Sequence, residues 1–133
     1  MNQLSSLASR PRRHTKLTRQ SKLFKAVVNA MLQKKGEDII SLDLRNIPEA
    51  SADFFVICHA DNATQLKAIA DHIEDLVKQQ TGETVYHREG YQHARWILVD
   101  YVNIVAHVMH SETRKFYQLE EMWSDAGMEE HQG

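Results

Sequence analysis

Three kinds of side chain in this sequence could do chemistry: carboxylates, imidazoles and a single thiol. Metal-assisted nucleotidyl transfer needs closely spaced strand carboxylates to hold Mg²⁺ beside a triphosphate. The candidates are Asp43, Asp53 and Asp100, and none has an acidic residue two positions away. Eight histidines invite a metal argument, yet their spacing does not support one. His107 and His110 fall on opposite faces of a strand, His87 and His93 flank a loop, and His59 ends a strand. No metal site is expected. Cys58, the one cysteine, lies in an apolar strand context that predicts an unreactive thiol. A lone cysteine also means no disulfide framework, which suits a reducing compartment. The five glycines stand apart at 36, 82, 90, 127 and 133, so no phosphate-cradling loop exists, and there is no G-x-S-x-G elbow. A metal-dependent nucleotidyltransferase is the weak alternative, and no cofactor is expected.

The stretch that must position any functional surface is Arg95–Tyr117, RWILVDYVNIVAHVMHSETRKFY. Two short apolar runs rich in β-branched residues, 96–101 and 104–110, flank Val102-Asn103 and predict a β-hairpin. With those two residues as the loop, Trp96 faces Met109, Leu98 faces His107 and Asp100 faces Val105. Alternation then puts Ile97, Val99, Tyr101, Ile104, Ala106 and Val108 on one face, as ordinary core. The other face carries Trp96, Leu98, Asp100, Val105, His107 and Met109. An aromatic, a thioether, an acid and an imidazole are an odd set to bury and a suitable set for contacting another molecule.

Around the hairpin, Leu23, Val27, Ala30 and Met31 recur at helical spacing over 21–35, with Ser21 as N-cap and Gly36 at C′. Strands are expected over 37–45 and 52–60. A helix opened by Asp61 or Asn62 runs to about Gln80, and Gly82 closes it. A short strand follows over 84–87. After the hairpin, Ser111 caps a last short helix over 112–117, and 119–123 adds a turn. The expected fold is a single α/β domain: a mixed sheet of about five strands, helices mainly on one face. The organisation is a flexible basic arm over 1–20, the domain over 21–126 and a frayed tail over 127–133.

The net charge of −2 hides a split. Residues 1–36 carry nine Lys or Arg and no acid; residues 37–133 carry seven basic and eighteen acidic residues. An acidic body repels nucleic acid and favours basic proteins, while the arm suits phosphate. No apolar run is long enough to span a membrane. The arm lacks the apolar core of a secretory signal, although its Arg- and Ser-rich start is compatible with an organellar leader.

Several stretches resemble the ribosomal silencing factor (Iojap-like) family. They are Asp38–Leu44, Ala52–Cys58, Gln65–Asp71, Glu89-Gly90, Trp96–Tyr101, Val105–Met109, Arg114–Glu120 and Trp123. The resemblance covers about Ser21 to Ala126. It implies a nucleotidyltransferase-like topology without the catalytic carboxylates, hence no enzyme. It also implies binding to ribosomal protein uL14 on the large subunit, with the basic arm over 1–20 able to contact ribosomal RNA, obstruction of small-subunit joining, and lowered translation when nutrients are short. The alternative it carries is large-subunit assembly, as in organellar relatives. On this reading Trp96 and Met109 are apolar anchors flanked by Leu98 and His107. Asp100 and Glu89 face basic groups of the partner. Tyr101, Arg114 and Tyr117 either contact the partner or brace the sheet. A bacterial cytoplasm is the default location, an organelle the lesser one, and a homodimer is compatible with the pattern. One departure stands out: the family commonly has Gly-Asp where this chain has Val102-Asn103. Valine resists the positive φ of a tight turn, which favours a wider loop.

Overall fold

The computed structural model describes residues 21–133; the expected basic arm, 1–20, lies outside the described residues. The elements run α1 (Lys22–Gln33), β1 (Glu37–Asp43), β2 (Phe54–Ala60), α2 (Ala63–Thr81), β3 (His87–Glu89) and β4 (Trp96–Asp100). β5 (Ile104–His110), α3 (Ser111–Tyr117), α4 (Leu119–Met122) and β6 (Gly127–His131) complete the domain. One mixed sheet has the order β3-β4-β5-β2-β1-β6. β2 and β5 pair in parallel and the other neighbours pair antiparallel. The α/β class and mixed sheet agree with the expectation.

Six strands replace the expected five, because 127–131 is not a frayed tail. It pairs with β1, Ile39 opposite His131 and Asp43 opposite Gly127. His131 Nε2 lies 2.9 Å from Ser41 Oγ, and its ring meets Phe24 edge-on at 5.7 Å. An edge strand is held mainly by backbone bonds, so its polar sequence carries little hydrophobic signal. β3 begins three residues later than expected. α3 begins at Ser111, with His110 as its N-cap through a 3.2 Å bond from the Glu112 amide.

α1 is opened as expected: Ser21 Oγ accepts the Phe24 amide at 3.1 Å. Its end is different. Lys35, not Gly36, holds the left-handed conformation (φ 61°). Gly36 N–H donates to the Met31 carbonyl (2.8 Å) and Lys35 N–H to the Leu32 carbonyl (3.1 Å), a Schellman closure with Lys35 at C′. Gly36 is needed for space: a Cβ there would sit 2.9 Å from Cys58 Sγ and 3.1 Å from Cys58 Cβ.

The hairpin register is the expected one, Trp96 opposite Met109, Leu98 opposite His107 and Asp100 opposite Val105. The loop is not widened. Val102 adopts φ 75°, Asn103 N–H donates to the Tyr101 carbonyl across it (2.9 Å), and Tyr101 N–H donates to the Ile104 carbonyl (2.8 Å). This is a tight γ-type turn. The Asp100 carboxylate offsets its strain by accepting the Val102 amide at 2.7 Å.

α1 and α2 cover one sheet face and bury Ile97, Val99, Tyr101, Ile104, Ala106 and Val108, the set expected as core. The other face is a second core. Trp96, Leu98, Val105 and Met109 pack there with Phe55 and Ile57 beneath Leu44, Ala50, Ala52 and Leu119, with Ile47 and Trp123 at its margin.

Candidate interface

The open binding face expected on the hairpin is therefore closed. Leu98, Asp100, Tyr101, His107 and Met109 are buried, and Trp96 is only 8% exposed. Short or irregular pieces, 44–52 and 119–126, do the covering. His107 is fully enclosed: Trp96 Nε1 donates to its Nδ1 at 3.0 Å, and Phe55 meets the ring edge-on at 4.4 Å. With Nδ1 accepting, the proton of the neutral ring belongs on Nε2, which has no hydrogen-bond partner among the described residues. Burial pulls this imidazole down to about 3, so it is uncharged at neutral pH. Burial likewise pushes the Tyr101 hydroxyl upward and the Cys58 thiol up to about 12.

The carboxylates that could have done chemistry hold the fold together instead. Asp43 grips Arg45 at 2.7 and 2.9 Å. Asp53 accepts the Asn103 side-chain amide at 2.8 Å, and Asp100 serves the hairpin turn. Among the described residues no group of three or more His, Cys, Asp or Glu could hold a metal ion.

Two of the remaining predicted residues are structural as well. Arg114 is buried. Its Nη1 donates to the Asp38 carbonyl (2.7 Å), the Glu37 carbonyl (3.3 Å) and His59 Nδ1 (3.0 Å), and its Nη2 lies 3.5 Å from Glu120 Oε2. It braces α3 against the start of β1, where Asp38 has φ 47°. Glu89 lies on β3 with Oε2 3.3 Å from His87 Nε2, and its side chain is largely covered.

Tyr117 is the predicted residue that remains on the surface, 43% exposed, and Phe116, which the sequence reasoning did not single out, is 80% exposed. Their rings meet edge-on at 5.1 Å, and Tyr117 rests on Trp96 at 4.8 Å. Three aromatic rings thus run from the second core to solvent at the end of α3. Arg95, the residue before β4, and Glu112 of α3 form a charged pair 3.4 Å apart. The sequence carries no signal for Phe116: a short terminal helix reads as a solvated face, and it is the structure that shows α3 burying only Arg114. An exposed aromatic cluster with a charged rim has the composition of a protein-docking surface, not of a reaction centre.

A family model described as "Ribosomal silencing factor during starvation" matches residues 17–133. The chain belongs to the ribosomal silencing factor family. It is 39% identical over 111 residues to the ribosomal silencing factor RsfS of Halalkalibacterium halodurans, covering 84% of this chain and 93% of that one. It is 40% identical over 107 residues to RsfS of Bacillus subtilis, covering 80% and 89%. A crystal structure of a Chromobacterium violaceum protein superposes with a TM-score of 0.72 at 28% identity, covering 77% of this chain and 84% of that one. A Bacillus halodurans structure gives 0.68 at 37% identity, covering 77% and 93%. A more distant relative is mouse "Mitochondrial assembly of ribosomal large subunit protein 1", 28% identical over 101 residues, covering 74% of this chain and 43% of that one. The silencing-factor family is thus regulatory, and no described helix is long and apolar enough to cross a membrane.

Proposed function

We propose that this ribosomal silencing factor binds the large ribosomal subunit at uL14 and blocks small-subunit joining by occupying its place, lowering translation when nutrients are short. The action is steric, makes and breaks no bond, uses no cofactor and takes place in the cytoplasm. The observation that supports this reading is the run of Trp96, Tyr117 and Phe116 from the second core to the surface at the end of α3. Trp96 supports Tyr117 from below, while Phe116 and Tyr117 make the contact. The acidic balance of residues 37–133 favours encounter with a basic ribosomal protein, and the aromatic pair supplies affinity.

The test mixes purified protein with isolated large subunits and purified uL14, then adds small subunits and follows joined ribosomes on a sucrose gradient. The expected result is binding to both and a dose-dependent loss of joined ribosomes. Binding to large subunits with joining unaffected would reject the blocking step. The name of the mouse relative supports a second reading, a role in large-subunit assembly. In that case depletion of the protein causes precursor large subunits to accumulate during growth in rich medium.

A further inference from the structure

Three histidines around α3 accept hydrogen bonds from groups that can only donate. Arg114 Nη1 donates to His59 Nδ1 at 3.0 Å, the Glu112 amide to His110 Nδ1 at 3.2 Å, and Trp96 Nε1 to His107 Nδ1 at 3.0 Å. A guanidinium, a backbone amide and an indole offer no acceptor. Each Nδ1 must therefore keep its lone pair, and each ring must be neutral. Each of these bonds helps to seat α3. His110 caps the first turn, and His59 takes Arg114, the residue that α3 buries. His107 fixes Trp96, on which Tyr117 rests at 4.8 Å. A helix of seven residues is not stable alone and depends on such holds.

Protonation turns both ring nitrogens into donors. At His59 it sets an imidazolium against the Arg114 guanidinium, which then keeps its carbonyl bonds only against that repulsion. A carboxylate stands on the other side, with Asp38 Oδ2 4.0 Å from His59 Nε2. The ring thus has one partner for each charge state. Glu37 lies opposite His59 in the β1–β2 register, and Glu120 lies beyond Arg114, 3.5 Å from Nη2. Lys115, Glu121, Glu130 and His131 line the same cleft. At His110, protonation removes the cap and puts a positive charge against the amide end of α3. Arg95, whose carbonyl accepts the His110 amide at 2.8 Å, and Glu112 are the charged residues bonded there, and they pair with each other at 3.4 Å. His59 and His110 are both partly exposed and open to solvent protons. His107 is enclosed and held near 3, so Trp96 stays in place while the other two respond.

We propose that α3 is a proton-operated latch, seated while His59 and His110 are neutral and released when they charge. Bonds that require the neutral ring are fully present at high pH and are lost as pH falls. On release, the cap opens, Arg114 loosens, and the Phe116–Tyr117 end of α3 leaves Trp96. The surface that carries the aromatic pair is therefore formed only in the neutral state. The latch itself does not depend on what that pair touches.

The test is NMR of the full chain between about pH 8 and about pH 5, the range in which histidines change charge. It follows the amides of Glu112, Phe116 and Tyr117 beside the imidazole signals of His59 and His110, with the amides of α2 as reference. The expected result is a reversible move of the α3 amides toward unstructured shifts, in step with the two imidazoles, while α2 stays unchanged. Asparagine places an amide oxygen close to where Nδ1 stands and accepts at every pH. His59→Asn with His110→Asn should therefore keep α3 seated and lose the response, with native melting at pH 8. His110→Asn alone, an ordinary helix cap at a partly exposed position, should lose the part of the response seen at the Glu112 amide. The proposal is overturned if the α3 amides of the wild type do not move over this range. An undiminished Glu112 response in His110→Asn also overturns it, since the cap is then not the sensor. So does a simultaneous move of α2, since acid then unfolds the whole domain and not the latch.

Discussion

Arg114 decides between a brace and a contact residue, and its replacement separates the two. Its short bonds to the Asp38 carbonyl (2.7 Å) and His59 Nδ1 (3.0 Å) are charge-assisted; those to Glu37 (3.3 Å) and Glu120 (3.5 Å) are at the weak end. Two effective bonds from a charged donor at roughly 1.5 kcal/mol each give about 3 kcal/mol lost in Arg114→Ala. The loss is compounded because the positive-φ turn at Asp38 keeps its strain without its clamp. For a domain of this size that corresponds to a fall in Tm of roughly 10 °C. Arg114→Lys should recover only part of the loss, since a single ammonium can take the place of Nη1 toward the two carbonyls and the imidazole but has no second nitrogen to reach Glu120 as Nη2 does. Urea and thermal unfolding followed by circular dichroism measure both variants. An Arg114→Ala protein that unfolds like wild type but fails to bind large subunits would refute the brace and return Arg114 to the interface.

At the end of α1, Lys35→Gly should stabilise the domain by about 0.5–1 kcal/mol, because it removes a Cβ from a left-handed position. Gly36→Ala should destabilise by about 1–3 kcal/mol through overpacking, and Cys58→Ala should relieve part of that; a purely additive pair in urea melts would contradict the contact. The Cys58 thiol, pushed up to about 12 by burial, should resist a thiol reagent at pH 8 in native protein and react promptly in denaturant. His107 titrates near 6.5 when unfolded and near 3 when folded. Between those values the unfolded chain binds a proton that the folded chain does not, so this group erodes stability as pH falls through that window. His107→Gln should lose less stability than wild type between pH 7 and pH 4.5, and an equal loss would count against the buried neutral imidazole.

The hairpin was legible because its alternation is strict: one two-residue loop fixes every cross-strand pair, and the faces sort as the pattern requires. What the pattern does not show is what lies over a face. The cover of Trp96, Leu98 and Met109 comes from the irregular 44–52 stretch and from Leu119 and Trp123, which share no period that links them to the sheet. A mixed face therefore read as an open one. β6 was missed for a related reason, since GMEEH pairs through its backbone. Gly36 misled in another way. A glycine after a helix reads as the left-handed cap, whereas here the lysine before it takes that conformation and the glycine makes room for Cys58. Among the candidate contact residues, the family motif points to Tyr117, which the structure leaves exposed. Phe116 beside it was passed over because a short terminal helix reads as a solvated face until its interior is known to hold only Arg114.

The most direct measurement is co-sedimentation of the full chain with isolated large subunits, wild type beside Phe116→Ala and Tyr117→Ala. Both side chains are exposed, so folding should survive, whereas Trp96→Ala would open the second core. Burial of one such ring against a partner is worth about 2 kcal/mol, so each variant should bind roughly thirtyfold more weakly with an unchanged melting curve. Undiminished binding by both folded variants would contradict the aromatic surface as the site of ribosome contact.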